Sequence, residues 1–85
     1  MTHHLGIDVE TALRGDYNEF IRRLRDLKST VRAESMGQYR ECPTWRMVYV
    51  ETTMSERELD DWCYNYNGRC FIEMNVFEWQ REIPQ

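Results

Sequence analysis

The chain has 85 residues, of which 41% are hydrophobic and 13% aromatic, and its formal net charge is −4. This composition is sufficient for a packed core and argues against a disordered chain, and the length predicts one domain over residues 1–85. The acidic balance is the opposite of what phosphate contacts require, so it disfavours general nucleic-acid binding.

The cysteine count and the apolar runs bear on the compartment. Three cysteines cannot form a complete disulfide framework. No run approaches the roughly 20 apolar residues of a membrane helix, and the start, MTHHLGIDVET, lacks the pattern of a signal peptide. We therefore expect a reduced, cytoplasmic protein that does not contact a membrane.

The first segment allows two interpretations. The alternation of apolar with polar or small residues from Leu5 to Val9 is typical of a short edge strand. Asp8 can instead act as a helix N-cap with an apolar residue before it. We favour a short helix from Asp8 through Arg14, ended by Gly15.

The clearest helical periodicity follows Asp16, which forms a capping-box pattern with Glu19. The predicted apolar stripe contains Tyr17, Phe20, Ile21, Leu24, Leu27 and Val31. One helix drawn from Asp8 and bent at Gly15 remains an alternative, because an interior Gly costs only about 1 kcal/mol. Either helix would pack one face on a sheet.

From Ser35 the pattern changes, and the segments on either side of Pro43 predict a β-hairpin. In its second strand, Trp45, Met47 and Tyr49 point to one side, and Arg46, Val48 and Val50 to the other. Ser55 and Glu58 then form a capping box for another helix. The predicted core face of that helix is Leu59, Trp62, Cys63 and Tyr66, and Asn67-Gly68 ends it.

The last strand alternates Cys70, Ile72, Met74 and Val76 with Phe71, Glu73, Asn75 and Phe77. The helix that precedes it favours a crossover from the Trp45 strand, with the two strands parallel and adjacent or with one strand between them. The predicted fold is therefore α+β in the order α-β-β-α-β. It is a small three-stranded mixed sheet with helices packed on one face.

Catalytic and metal-binding patterns are weak. The residue types that bind zinc are His3, His4, Cys42, Cys63 and Cys70, but no C-x2-C pair and no i, i+4 His pair occurs. There is also no nucleophile elbow and no Gly-rich phosphate loop. We predict no catalytic residue, no metal and no cofactor, which favours a protein other than an enzyme.

Two charged groups are candidate interaction surfaces. Arg22, Arg25, Lys28 and Arg32 follow one flank of the second predicted helix, where they could bind a nucleic acid or simply face solvent. The acidic group is more concentrated. We predict that Glu51, Glu56, Asp60, Asp61 and Tyr64 bind a partner, because exposed Tyr is enriched at interfaces and carboxylates steer basic partners.

Aromatic residues accumulate near the end of the chain. Phe71, Phe77 and Trp79 share one side of the last strand, with Tyr39, Trp45 and Tyr49 on the predicted neighbouring strands. A sheet with helices on one face leaves the other face open, and an open apolar face marks a partner interface or a homodimer interface. Polar groups at Arg46, Glu73 and Asn75 would instead make this face a pocket for a small ligand or a substrate.

The leading functional hypothesis is a small acidic protein-binding module. It would act as a regulator or inhibitor, of the compact kind that phages and mobile elements encode, by occupying a basic surface of another protein. The alternatives are a small-ligand-binding protein or enzyme that uses the aromatic sheet face, and nucleic-acid binding through the Arg-rich flank.

Overall fold

A computed structural model describes residues 1–10, 17–38, 44–67 and 73–80. These residues form six elements in the order β-α-β-β-α-β. They are β1 (His3–Glu10), α1 (Tyr17–Arg25), β2 (Thr30–Gln38), β3 (Trp45–Thr52), α2 (Glu56–Asn67) and β4 (Met74–Glu78).

The four strands form one antiparallel sheet in the order β2-β3-β1-β4. α1 connects β1 to β2, and β3 lies between these two strands in the sheet. α2 connects β3 to β4, and β1 lies between them. This element order and strand order are those of the ferredoxin-like, split β-α-β arrangement. The predicted α+β class is confirmed, whereas the predicted three-stranded mixed sheet is wrong.

The missing strand is β1, and its identification as a helix is wrong. Asp8, the predicted N-cap, pairs with Met47 on one side and with Asn75 on the other. An N-cap contributes only about 1 kcal/mol, whereas pairing on both sides buries the alternating apolar residues Leu5 and Val9 completely in the core. The strand is central rather than at an edge. The predicted helix end at Arg14 and Gly15 lies outside the described residues.

The helix α1 is shorter than predicted. Its residues Phe20, Ile21 and Leu24 are buried as the stripe predicts. Val31, however, belongs to β2 and is exposed, because the chain turns after Arg25 and pairs with β3 from Thr30 onward. The sheet hydrogen bonds available at that point override the continuing helical pattern.

The other predicted elements are confirmed where the structure describes them. β2 and β3 are antiparallel neighbours as predicted, but β2 begins at Thr30 rather than at Ser35, and the predicted turn at Pro43 lies outside the described residues. The two sides of β3 are as predicted. Both β3 and β4 run antiparallel to β1, so they are parallel with one strand between them. The two helices cover the same sheet face, because their apolar residues join one cluster with the strands.

The cluster contains Leu5, Ile7, Val9, Phe20, Ile21, Leu24, Ala33, Val48, Val50, Leu59 and Cys63. Trp62 and Tyr66 of α2 pack against it and contact Phe20 of α1. The ring centroids are 5.6 Å and 5.2 Å from Phe20, respectively. The two helices are therefore joined by aromatic contacts above the sheet.

Gly6 of β1 allows aromatic rings to lie directly on the other sheet face. A Cβ at this position would be closer than 3.0 Å to ring atoms of both Phe77 and Trp79. The absence of a side chain is required here for close packing, and a larger residue would displace the two rings.

Gly6→Ala is expected to lower the free energy of unfolding by about 1–3 kcal/mol, because the added methyl group overpacks this site. Urea unfolding measures the loss. Phe77→Ala removes one of the two rings, so the cost of Gly6→Ala should be smaller in that background. Equal costs in both backgrounds would show that the Phe77 ring does not require Gly6.

Candidate functional site

The sheet face opposite the helices is filled by its own side chains. Tyr49 lies at its centre and is 0% exposed, and Trp79 is 8% exposed. The two rings meet edge to face, with centroids 5.3 Å apart. The Arg32 guanidinium lies 5.5 Å from the Tyr49 ring centroid, and His4 Nδ1 lies 2.7 Å from the Tyr49 hydroxyl oxygen.

Polar and charged side chains around Tyr49 lie close to one another in two pairs. Arg32 donates a hydrogen bond of 2.8 Å to Glu34, which lowers the pKa of that carboxyl group. His4 Nδ1 lies 3.8 Å from the Glu51 carboxylate. Burial, followed by the neighbouring Glu51 charge, raises the pKa of Tyr49. The centre of this face is therefore a packed and hydrogen-bonded cluster rather than a pocket.

The polar groups that would make this face a pocket do not converge. Arg46 pairs in register with Val9, whose side chain is on the helix-covered side. Asn75 pairs with Asp8, on the opposite side. Of the aromatic residues predicted here, Tyr39 and Phe71 lie outside the described residues.

The Arg-rich flank is also divided. Arg22 donates a hydrogen bond to Glu19, and Arg25 donates one to the carbonyl of Ala33. Arg32 lies in β2 on the far side of the sheet, not on α1. Arg32 therefore does not share a surface with Arg22 and Arg25, and the rings of Tyr49 and Trp79 are too covered to stack on bases.

The outer surface of α2 is different, because its charges are not paired. Glu56, Asp60, Asp61 and Tyr64 are all exposed, and Tyr64 is 78% exposed. Their positions fall within about 140° of the helix circumference at 100° per residue. Within the described part of the chain, none of the three carboxylates forms an ion pair. We call these four residues the α2 acidic surface.

Glu51 does not belong to that surface. It extends from β3 on the helix-free side of the sheet, beside His4. The five predicted site residues are therefore split into four on α2 and one on the opposite sheet face. Sequence periodicity could not show that Glu51 and Glu56 lie on different surfaces. They are only five residues apart, but Glu51 belongs to β3 and Glu56 to α2.

The start of α2 holds the surface in place. The Ser55 amide donates to the Glu58 carboxylate at 3.0 Å, and the Glu58 amide donates to the Ser55 hydroxyl oxygen at 3.1 Å. This confirms the capping box. The bond from the Ser55 amide lowers the pKa of Glu58. Leu59 and Cys63, both buried, then fix the rotation of the helix on the sheet.

A small cavity of about 90 Å³ lies beside the α2 acidic surface. It is lined by Asp60, Cys63, Tyr64 and Met74. Its lining combines the Asp60 carboxylate with the apolar side chain of Met74 and the ring of Tyr64, a mixture that suits a side chain with an apolar stem and a polar end.

A larger cavity, of about 430 Å³, was not predicted from the sequence. It lies where β1 begins and β4 ends, and its lining includes His3, His4, Glu56, Glu78 and Trp79. No sequence pattern identifies it, because its residues come from three elements that only the sheet order brings together.

The chemistry of nucleophiles and metals is restricted in the described residues. Burial, with a contribution from Asp60, raises the pKa of the Cys63 thiol to about 12, so it stays protonated and unreactive at neutral pH. Among these residues no group of three or more His, Cys, Asp or Glu is placed to hold a metal ion. Cys42 and Cys70 lie outside them.

No helix in the described ranges is long and apolar enough to cross a membrane. Comparisons of the chain with models of protein families, with curated proteins and with solved structures find no match. The case for a function consequently depends on the surfaces described above.

The buried state of Cys63 can be tested in a variant that carries Cys42→Ser and Cys70→Ser. At pH 8 the thiolate fraction of a group with a pKa of about 12 is roughly a thousandfold below that of an ordinary thiol. Alkylation by iodoacetamide in the folded protein should be slower by at least about this factor than in urea. Similar rates in both states would contradict the burial.

The capping box predicts a pH dependence. The lowered pKa of Glu58 stabilises the folded state above its ordinary pKa of 4.5, and this contribution is lost as the pH falls through the folded-state value. Glu58→Gln should therefore be less stable than wild type at pH 7, with the difference shrinking below pH 4.5 in urea unfolding. Glu56→Gln is the matched control. Because Glu56 accepts no hydrogen bond from Ser55, this substitution should lower the free energy of unfolding less than Glu58→Gln does.

Proposed function

We propose that this chain is a protein-binding module that uses the α2 acidic surface to occupy a basic surface of another protein. The observation that supports this is the contrast in pairing between acidic residues. Glu19 and Glu34 are each bonded to an arginine of the same chain, whereas Glu56, Asp60 and Asp61 have no such partner among the described residues. Their charges are available to an external cation.

The surface is preorganised. Its side chains extend from a helix that is capped at Ser55 and anchored by Leu59 and Cys63, so little backbone ordering is required when a partner binds. The exposed Arg57 lies on the same side of α2, so the surface carries three carboxylates and one guanidinium. This excess of negative charge raises the association rate of a basic partner through electrostatic steering. The exposed Tyr64 adds contact area and a hydroxyl group at low entropic cost.

The small cavity next to Asp60 suggests which side chain the partner contributes. Lys and Arg have apolar stems and charged heads. A stem that lies between Tyr64 and Met74 would place its charge beside the Asp60 carboxylate. The interaction would then combine apolar burial with an ion pair, which gives more specificity than charge alone.

The biological consequence that we propose is regulation or inhibition. A compact domain that covers a basic site excludes whatever that site normally holds, including a nucleic acid. The net charge of −4 agrees with a protein that competes with phosphate groups for such a site. The assignment to phages or mobile elements is a proposal from size and acidity alone.

Asp60→Lys should weaken partner binding by about tenfold or more, because it places a like charge against a basic surface. The partner is first captured on the immobilised wild-type chain and identified by mass spectrometry, and its affinity is then measured by calorimetry. Asp26→Lys is the matched control, since Asp26 is exposed, carries the same charge and follows α1 instead. It should leave the affinity within about twofold.

A salt series and a second variant complete this test. Binding should weaken between about 50 and 300 mM salt, because the attraction between exposed charges is screened. Tyr64→Ala should accelerate dissociation and change the salt dependence little. If Asp60→Lys and Asp26→Lys changed the affinity equally and the affinity did not depend on salt, the α2 acidic surface would not be the binding site.

A further inference from the structure

The outer edge of β2 is a second surface, and no other described strand pairs with it. β2 has nine residues and, in the described part of the chain, pairs only with β3, so it forms one edge of the four-stranded sheet. A groove of about 410 Å³ runs along this edge and is lined by Arg25, Thr30, Val31, Arg32, Ala33 and Glu34. Val31 lies where the register with β3 shifts, and it is 64% exposed. Open sheet edges can add a strand, and the regular register of β2 with β3 runs from Arg32 to Ser35, between two irregularities.

The charges along the edge complement themselves. Arg32 and Glu34 flank Ala33, extend from the same sheet face and are bonded to each other at 2.8 Å. An antiparallel strand whose residues 32 and 34 are also Arg and Glu would place each charge opposite its counter-charge, if the two strands were centred on Ala33. Among the described strands, β2 itself has this pattern.

We propose that a second copy of the chain pairs with this edge, β2 to β2 and antiparallel, about a two-fold axis at Ala33. Arg32 of each copy then lies opposite Glu34 of the other copy. Each Arg32 then has two Glu34 neighbours, one in its own strand and one directly opposite in the other copy. Residues of like charge are neighbours only diagonally. Such cross-strand ion pairs stabilise a sheet, and a two-fold interface is the commonest kind in oligomers.

The residues at the axis are compatible with this pairing. Ala33 is small and its side chain is buried on the helix side, so the two strands can approach each other. The exposed Val31 would gain a neighbour, and a domain of 85 residues gains burial by association.

Arg25 modulates the pairing. Its side chain donates a hydrogen bond of 2.8 Å to the Ala33 carbonyl oxygen in the single chain. An incoming backbone amide would compete for the same oxygen, so Arg25 limits the strength of the dimer. Arg25→Ala should therefore tighten association by several-fold, the reverse of the effect expected for a residue that only stabilises the fold.

The test uses two charge reversals and their mixture in sedimentation equilibrium. Wild type should be a dimer that dissociates on dilution. Arg32→Glu makes all four charges acidic and Glu34→Arg makes them basic, so each variant alone should dimerise at least about tenfold more weakly. An equimolar mixture restores the opposite pairs and should form a heterodimer. Arg57→Glu, an equal charge change on α2, should leave the dimer intact.

Several outcomes would overturn the proposal. These are a wild type that stays monomeric at millimolar concentration, a dimer that survives both reversals, and a mixture that does not associate. Arg32→Glu also removes the contact with the Tyr49 ring, so far-ultraviolet circular dichroism must show that it is folded. Val31→Lys provides a second variant at an exposed position and should also weaken the dimer.

This inference is independent of the proposed function. Asp60→Lys should leave the dimer unchanged, and the β2 variants should leave the α2 acidic surface intact. A peptide of another protein bound at the β2 edge would appear as a wild type that is monomeric alone, which contradicts self-pairing.

Discussion

The pairing of β1 with strands on both of its sides is the constraint on which the rest of the structure depends. β1 joins β4 to the β2–β3 hairpin, so without it the sheet would separate into two parts. Its residues Leu5 and Val9 face the helices, while Gly6 between them leaves room for rings on the other face. One strand therefore determines both the core under the helices and the aromatic cluster opposite.

The side chains on the two sheet faces are covered in different ways, and this difference bears on which surfaces are open to a partner. The helices cover one face with apolar side chains. The other face has no covering element in the described residues, yet Tyr49 is fully buried there by Arg32, His4 and Trp79. A face that is already packed and bonded offers little free energy to a ligand. The two surfaces that we propose for recognition therefore lie elsewhere, on the outer side of α2 and at the edge of the sheet.

Sequence reasoning succeeded where local chemistry determines structure. The Ser55–Glu58 box and the α2 stripe depend on residues within two helical turns, so they could be predicted. The strand β1 could not be predicted in this way, because its conformation depends on partners 35 or more residues away, Met47 and Asn75 among them. Arg32 and Val31 were predicted on a helix for the same reason, because their strand conformation depends on pairing with the distant β3. The exposure of Asp60, Asp61 and Tyr64 on α2 was predicted from the sequence. That Glu51 lies on a different surface from these residues could be seen only from the sheet register.

The two proposed surfaces are compatible because the fold places them on opposite sides. α2 packs against β4, whereas β2 forms the other edge of the sheet and contacts α1. Pairing through β2 would consequently leave both α2 acidic surfaces of a dimer open. Two such surfaces on one particle would bind a partner with repeated basic sites more tightly than either alone, because the second contact becomes intramolecular. Self-association would then increase the avidity of the acidic surface without any change to its own contacts.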